Sequence, residues 1–182
     1  MFMGRVSSFL CVQALLVSLS ALSEATPAQI VIVPNAEQSG SGLSLTGQER
    51  AQALAPYLSQ TPSLIVPGVY QSIFAARPNL SNASLASTET LAPLGFTLGL
   101  PVHSPYGVGQ EALLAALILN DQRYGGTNVM IAWQSSAVPA LLSALGYNYT
   151  GGGVANNVTF VLPYPIVSPN ITGTAQNLLY GD

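Results

Sequence analysis

Apolar and polar positions divide this chain into alternating strands and helices. Gln29 to Val33 is an almost unbroken β-branched run closed by Pro34, the pattern of a strand buried on both faces of a parallel sheet. Thr46 and Glu49 carry the T-x-x-E spacing of a capping box. Ala51, Leu54, Ala55 and Leu58 then recur at i, i+3, i+4 and i+7, so a helix is expected to run to about Ser59. A strand, a short loop and an amphipathic helix form the opening half of a βαβ unit. Open α/β sheets place ligands at the carboxyl ends of such strands, which directs attention to residues 34–45.

The pattern continues in the same alternation. Val69 to Ala75 reads as a second strand after the turn signals Thr61-Pro62 and Pro67-Gly68, and 77–83 as a polar loop. A helix is expected from about Ser84 to Leu94 with Gly95 as its C-cap, followed by a short strand over 98–103. Gly109-Gln110-Glu111 opens an apolar helix reaching Asn120, and Thr127 to Ala132 is a further buried strand. From Ser136 a helix follows on Val138, Leu141, Leu142 and Leu145, with Pro139 in its first turn, where a missing N–H is tolerated. Gly146 ends it. Val158 to Leu162 reads as a last strand, at an edge because Pro163 and Pro165 follow. The tail beyond Ser168 shows no periodicity and is expected to be loosely held. This order predicts an α/β fold, a three-layer α/β/α sandwich with a mostly parallel sheet and no internal repeat.

Composition adjusts this picture at both ends. Arg5, the 14-residue apolar stretch Phe9–Leu22 and Ser23-Glu24-Ala25 have the layout of a secretory signal peptide over residues 1–25. That leaves one domain over 26–168 and a C-terminal tail over 169–182. No later apolar run approaches the roughly 18 residues that a membrane span needs, so stable membrane insertion is not expected. Only 6% of residues are charged, lysine is absent and the net charge is −3. Such a surface lacks the basic stripe that nucleic acid requires. Cys11 is the single cysteine and falls in the leader, so the remaining chain has neither a disulfide nor a thiolate metal site. Five N-x-S/T sequons, at Asn79, Asn82, Asn148, Asn157 and Asn170, mark expected glycosylation sites in an exported, extracellular chain.

Three segments carry a resemblance. The apolar strand leads into Leu45-Thr46-Gly47-Gln48-Glu49-Arg50-Ala51-Gln52-Ala53-Leu54, which is similar to the L-T-x-x-G-x-x-Q-A-x-x-L helix of the histidine phosphatase superfamily, the phosphoglycerate mutase-like proteins. Ile73 to Pro78 followed by Thr88-Glu89-Thr90-Leu91-Ala92-Pro93-Leu94 resembles that family's second strand and T-x-x-P-L-A helix. Val129 to Leu142 resembles its strand into H-x-x-x-x-P-A-L-L. The likeness implies a phosphoglycerate mutase-like fold and a phosphate cradle of two histidines and two arginines, one histidine being the nucleophile. At the implied positions this chain has Pro34 for the first arginine, Asn35 for the nucleophile, Ala86 for the second arginine and Gln134 for the second histidine.

These replacements remove the chemistry. The amide nitrogen of Asn35 has its lone pair in resonance with the carbonyl and cannot accept a phosphoryl group as imidazole does. Phosphoryl transfer depends on neutralising oxygen charge, and proline, alanine and two neutral amides offer no cation. His103 is the only histidine, so no histidine pair exists; it reads as a loop residue, and Arg77 as a surface arginine. Glu111 opens a helix, where the dipole favours a carboxylate. Ser135 and Ser136 lie at a helix start without a G-x-S-x-G frame. No metal-ligand spacing, P-loop or dinucleotide fingerprint appears, so neither metal nor cofactor is expected. The reading is of a non-catalytic binding or structural protein that has lost histidine phosphatase activity. Its vestigial cleft would be lined by Asn35, Glu37, Gln134, Trp133 and Glu111, a set suited to a neutral small molecule or glycan. The alternative is an active phosphatase or other hydrolase using an unusual constellation in the same cleft. No protein partner can be named from the residues.

Overall fold

In the computed structural model, residues 26–80 and 83–182 are described. The expected leader, Cys11 and the sequon at Asn82 lie outside the described residues. The centre of the fold is β1 (Gln29–Pro34), every residue of which is buried. It pairs in parallel with β6 (Asn128–Trp133), register Gln29 to Asn128 through Pro34 to Trp133, and antiparallel with β8 (Val158–Pro163). Beyond β6 the sheet continues in parallel through β4 (Ser72–Ala75) to β5 (Val102–His103), and beyond β8 it ends at β10 (Thr174–Ala175). The order is β10-β8-β1-β6-β4-β5.

Strand alternation divides the core in two. Ile30, Ile32, Val129, Ile131 and Trp133 face α3 (Glu111–Asn120) and α4 (Val138–Ala144), which bury Leu114, Ile118, Leu141 and Leu142 there. Val31, Val33, Met130 and Ala132 face α1 (Leu45–Gln60) and α2 (Ala86–Leu98), which bury Leu54, Leu58, Leu91 and Leu94. A mixed α/β sheet flanked by helices on both faces is the architecture that the alternation predicts. No helix among the described residues is long and apolar enough to cross a membrane.

Five local expectations need correction. The cap of α1 is Ser44, whose Oγ accepts from Gly47 N at 3.1 Å; Thr46 and Glu49 are exposed and form no capping box. The helix therefore begins at Leu45, two residues earlier than a Thr46 cap implies. In the corrected register Leu43-Ser44-x-x-Gly47-x-x-Arg50-Ala51 matches L-T-x-x-G-x-x-Q-A, with Gly47 on the glycine and Arg50 in the glutamine's place. The packing explains the glycine, since a Cβ on Gly47 would lie 2.0 Å from the Glu37 carbonyl oxygen.

The second helix passes Gly95 and ends at Leu98, with Gly99 at φ 66 as the left-handed cap. Gly95 answers to a different demand: a Cβ there would meet the Leu100 carbonyl oxygen at 2.9 Å as the chain folds back. The strand expected over 69–75 is shortened to β4, because only from Ser72 does the chain pair with β6. β8 is an interior strand, flanked by β1 and β10.

The fifth correction concerns the tail. It is not loose: β9 (Asn170–Ile171) pairs in parallel with β7 (Asn148–Tyr149), and β10 extends the main sheet. Gln176 is buried and its Nε2 donates to the Val158 carbonyl at 2.7 Å. The Asp182 carboxylate reaches back to α1. Two-residue strands are too short to show a period of two, which is why the pattern gave no sign of them.

Candidate functional site

The carboxyl ends of β1 and β6 lie side by side, and the chain leaving each one makes the site. Asn35, directly after β1, is 5% exposed, and its backbone N–H donates to the Trp133 carbonyl at 2.8 Å. Its side-chain Oδ1 accepts from the N–H of Ser135 at 2.9 Å, and the Ser135 hydroxyl lies 3.4 Å away. That hydroxyl has one proton, and Asn156 Oδ1 is nearer at 3.0 Å. The Asn35 Nδ2 donates to the Ala36 carbonyl at 3.0 Å and to Gln38 Oε1 at 3.3 Å. Both ends of the amide are thus engaged.

Gln38 belongs to β2 (Gln38–Ser39), which forms a hairpin with β3 (Gly42–Leu43). It carries the network to α2. Ser84 Oγ donates to Gln38 Oε1 at 3.0 Å and accepts from Ala86 N at 3.1 Å, which satisfies one N–H at the start of the helix. A second tie runs through Thr90, whose Oγ1 accepts from Ala36 N at 2.9 Å and donates to the Ala86 carbonyl at 2.7 Å. Gln134 precedes Ser135, and its carbonyl accepts from Ala137 and Val138 at 2.8 and 3.1 Å to close a turn of 3₁₀ helix. The structure therefore brings Pro34, Asn35, Ala86 and Gln134 to one place. The side chains that link them are amides and hydroxyls: Asn35, Gln38, Ser84, Thr90, Ser135 and Asn156.

Other residues expected at the cleft have different employment. Trp133 is fully buried in the core, and its Nε1 donates to Glu111 Oε1 at 3.1 Å. Glu111 accepts there and from Gly109 N at 2.9 Å, so its carboxylate supports the tryptophan and the loop that opens α3. Glu37 turns to α1. Its carboxylate takes hydrogen bonds from Arg50 Nε and Nη2 at 2.7 to 3.0 Å. Burial disfavours the charged form of Glu37, but the Arg50 hydrogen bonds outweigh it and hold the carboxyl below its usual range.

Arg50 itself is 4% exposed and also donates to Asp182, Nη1 to Oδ2 at 2.9 Å and Nη2 to Oδ1 at 2.7 Å. The Asp182 side chain is 6% exposed, and the Arg50 hydrogen bonds hold its carboxyl well below the usual range. Arg77 is exposed after β4, with its backbone N–H on the Tyr106 carbonyl at 2.8 Å. His103 is on the edge strand, its ring 5.8 Å from that of Phe74. Neither belongs to the network described. No cluster of three or more His, Cys, Asp or Glu suited to a metal ion occurs among the described residues.

Arg50, Gln38, Ser84, Asn156 and Asp182 are the participants that sequence reasoning missed. Arg50 alone had a signal. It occupies the buried stripe Gly47, Arg50, Ala51, Leu54, Ala55, Leu58, and a guanidinium on such a stripe demands a carboxylate partner.

The sequons differ in environment. Asn148 and Asn170 are exposed and directly paired across β7 and β9. Asn157 is half-buried. Asn79 is the most constrained, because its Nδ2 donates to the Val108 carbonyl at 3.0 Å and would lie 2.7 Å from a Cβ on Gly107.

No family model matches the sequence, and no curated protein sequence matches it. Solved structures do match the fold. A mycobacterial hydrolase, Mycobacterial hydrolase 1, superposes with a TM-score of 0.56 at 15% identity, over 82% of this chain and 98% of its own. The protein histidine phosphatase SixA, solved with tungstate, gives 0.52 at 18% identity over 80% of this chain and 94% of its own. A mycobacterial glucosyl-3-phosphoglycerate phosphatase gives 0.51 at 15% identity, over 82% and 98%. The fold is thus histidine phosphatase-like and phosphoglycerate mutase-like.

Proposed function

We propose that this chain is an exported, N-glycosylated member of the histidine phosphatase superfamily that has lost phosphoryl transfer and serves as a non-catalytic binding protein. The observation that carries the reading is the state of Asn35. It stands at the position that the resemblance gives to the nucleophile, and both of its amide atoms are held in a network of neutral groups. The phosphatase-like fold supports the reading, and it is the sequence resemblance that assigns the nucleophile to the end of β1. Arg50 offers no substitute cation, because two carboxylates already neutralise it.

A dianionic phosphate arriving here would exchange its hydration for amides and hydroxyls alone, which is unfavourable without charge-assisted donors. A ligand bearing hydroxyls or amides can exchange hydrogen bonds with the more accessible members of the network, Gln38 and Ser135, without that penalty. Neutral glycans or related small molecules are the class that this chemistry fits. Export rests on the layout of residues 1–25, and glycosylation on exposed sequons such as Asn148 and Asn170.

The test is hydrolysis of p-nitrophenyl phosphate by the purified chain beside the variant Pro34→Arg/Asn35→His/Ala86→Arg/Gln134→His, with circular dichroism confirming that both are folded. The unaltered chain is expected to stay at the buffer rate. Turnover by the unaltered chain that its Asn35→Ala variant abolishes would refute the loss of activity. Titration with neutral oligosaccharides and with phosphate esters tests the ligand class, and tighter binding of the esters would overturn it. Expression in a eukaryotic secretory host, with a mass decrease on N-glycosidase treatment, tests export and glycosylation together.

A further inference from the structure

An open groove lies away from the strand ends. It lies between α1 and α2, has a volume of about 820 Å³, and is closed at one end by the β2–β3 hairpin. Its walls are Ala51, Ala55 and Pro56 on one helix and Ala92, Pro93 and Phe96 on the other. Phe96 is 91% exposed, so its ring is open to solvent at the rim of the groove. Glu89 is the one charged residue in the lining. Its Oε2 accepts from Leu43 N at 2.8 Å, which anchors the hairpin, while no hydrogen bond to Oε1 is made by the described residues.

The backbone adds to this bias. Pro56 and Pro93 both lie inside helices, so neither has an N–H to give the carbonyl four residues earlier. Those carbonyls belong to Gln52 and Glu89, and both residues line the groove. The lining also includes the neutral amides Gln48 and Gln52, so the site combines one formal negative charge, no formal positive charge, apolar walls and an exposed aromatic ring. An anion is poorly matched to it, and a neutral hydrocarbon leaves the carboxylate unused. An ammonium group supplies three donors and a charge that a carboxylate and an aromatic face both attract.

We propose that the α1–α2 groove binds an organic ammonium ion with an apolar body, its nitrogen at Glu89 Oε1 and its body against Phe96 and Pro93. This site shares no residue with the strand-end network, so it stands or falls separately from the proposed loss of phosphatase activity.

Phenethylammonium is the probe, with phenethyl alcohol and phenylacetate as neutral and anionic counterparts of the same shape. Binding is read by NMR chemical-shift titration of the folded chain. Phenethylammonium is expected to move the signals of Ala51, Ala55 and Phe96 saturably, and phenylacetate to leave them unmoved. Glu89→Gln keeps an acceptor for Leu43 N but removes the charge, and should weaken binding about tenfold or more. Phe96→Ala, at an exposed position, should weaken it several-fold without unfolding the chain. Equal binding of the alcohol or the carboxylate, an unchanged affinity in Glu89→Gln, or shifts confined to residues outside the groove would each overturn the proposal.

Discussion

Asp182→Asn isolates the contact that closes the fold. The substitution preserves shape and removes one charge. Arg50 is 4% exposed and makes two charge-assisted hydrogen bonds to Asp182, at 2.7 and 2.9 Å, while the backbone N–H groups of Leu178 and Leu179 also converge on Oδ2 at 2.8 and 3.0 Å. An asparagine has one acceptor oxygen where the carboxylate has two, and its amide protons face other donors. Removing one member of a buried pair costs about 3–5 kcal/mol when the survivor is left without a counter-charge. Here Arg50 keeps Glu37, which places the expected loss lower, at about 2–3 kcal/mol. For a domain of this size that corresponds to a fall in Tm of roughly 5–10 °C at neutral pH.

Thermal unfolding followed by circular dichroism measures the fall, and hydrogen exchange locates it. Amides of β10 and of residues 176–182 should exchange faster in the variant, while those of β1 and β6 should slow or hold relative to them. The double variant Glu37→Gln/Asp182→Asn adds a stricter requirement. Either carboxylate alone can neutralise Arg50, so losing both should cost more than the sum of the single losses. A Tm for Asp182→Asn within about 1 °C of the parent, or strictly additive losses in the double variant, would refute the claim that Arg50 binds the tail through charge.

Three further outcomes follow from the same geometry. Ser44→Ala should cost about 1 kcal/mol in urea unfolding and Thr46→Ala less than about 0.5, because Ser44 caps α1 and Thr46 does not; the reverse order would restore the capping box. Gly47→Ala should cost several-fold more than the cap, about 3 kcal/mol or more, since its Cβ would lie 2.0 Å from the Glu37 carbonyl oxygen; a folded variant of parental Tm would contradict that packing. Acid should destabilise the chain through Glu37 and Asp182, whose carboxyls are both held below their usual values in the folded state. Their contribution is present above the unfolded values near about 4 and is lost as pH falls through the lowered native ones, so urea midpoints should drop below about pH 4 and drop less steeply in Asp182→Asn.

The sheet was legible because its two central strands are long enough to state their own burial. β1 and β6 are six buried residues each, and no other reading of Gln29–Val33 or Val129–Ala132 competes with that. The helices were legible from Leu54, Leu58, Leu91, Leu94, Leu141 and Leu142 for the same reason. Failures came where a local signal had two claimants. Thr46 and Ser44 both stand before a hydrophobic stripe, and only the close approach of Gly47 to Glu37 decides between them. Gly95 and Gly99 both look like helix stops, and one of them is spent on a backbone crossing. At the strand ends the sequence named residues but gave no sign of the hydrogen bonds between them. Asn35, Ala86 and Gln134 were found in the sequence, but the residues that bind them together, Gln38, Ser84 and Asn156, are loop or hairpin amides and hydroxyls with no periodicity. The tail was illegible because its attachments are two-residue strands, a buried glutamine and one carboxylate 132 residues from its partner.

The corrected register of α1 has a wider consequence. The interactions that build the strand-end region without using charge are all made: the Ser44 cap, the Gly47 contact, the Asn35 backbone bond to Trp133, and the Thr90 bridge between Ala36 and Ala86. The positions that the resemblance gives to the cationic cradle hold proline, alanine and two amides instead. Holding the loops and gripping an anion are therefore separable tasks in this architecture, because neutral hydrogen bonds and a glycine contact suffice for the first. The single buried cation nearby, Arg50, is neutralised by Glu37 and Asp182 and so fixes the loop after β1 to the end of the chain. On the proposed reading, a phosphate site here would require new positive charge at residues 34, 35, 86 and 134, and freeing Arg50 from Asp182 would weaken the fold before it supplied a ligand contact.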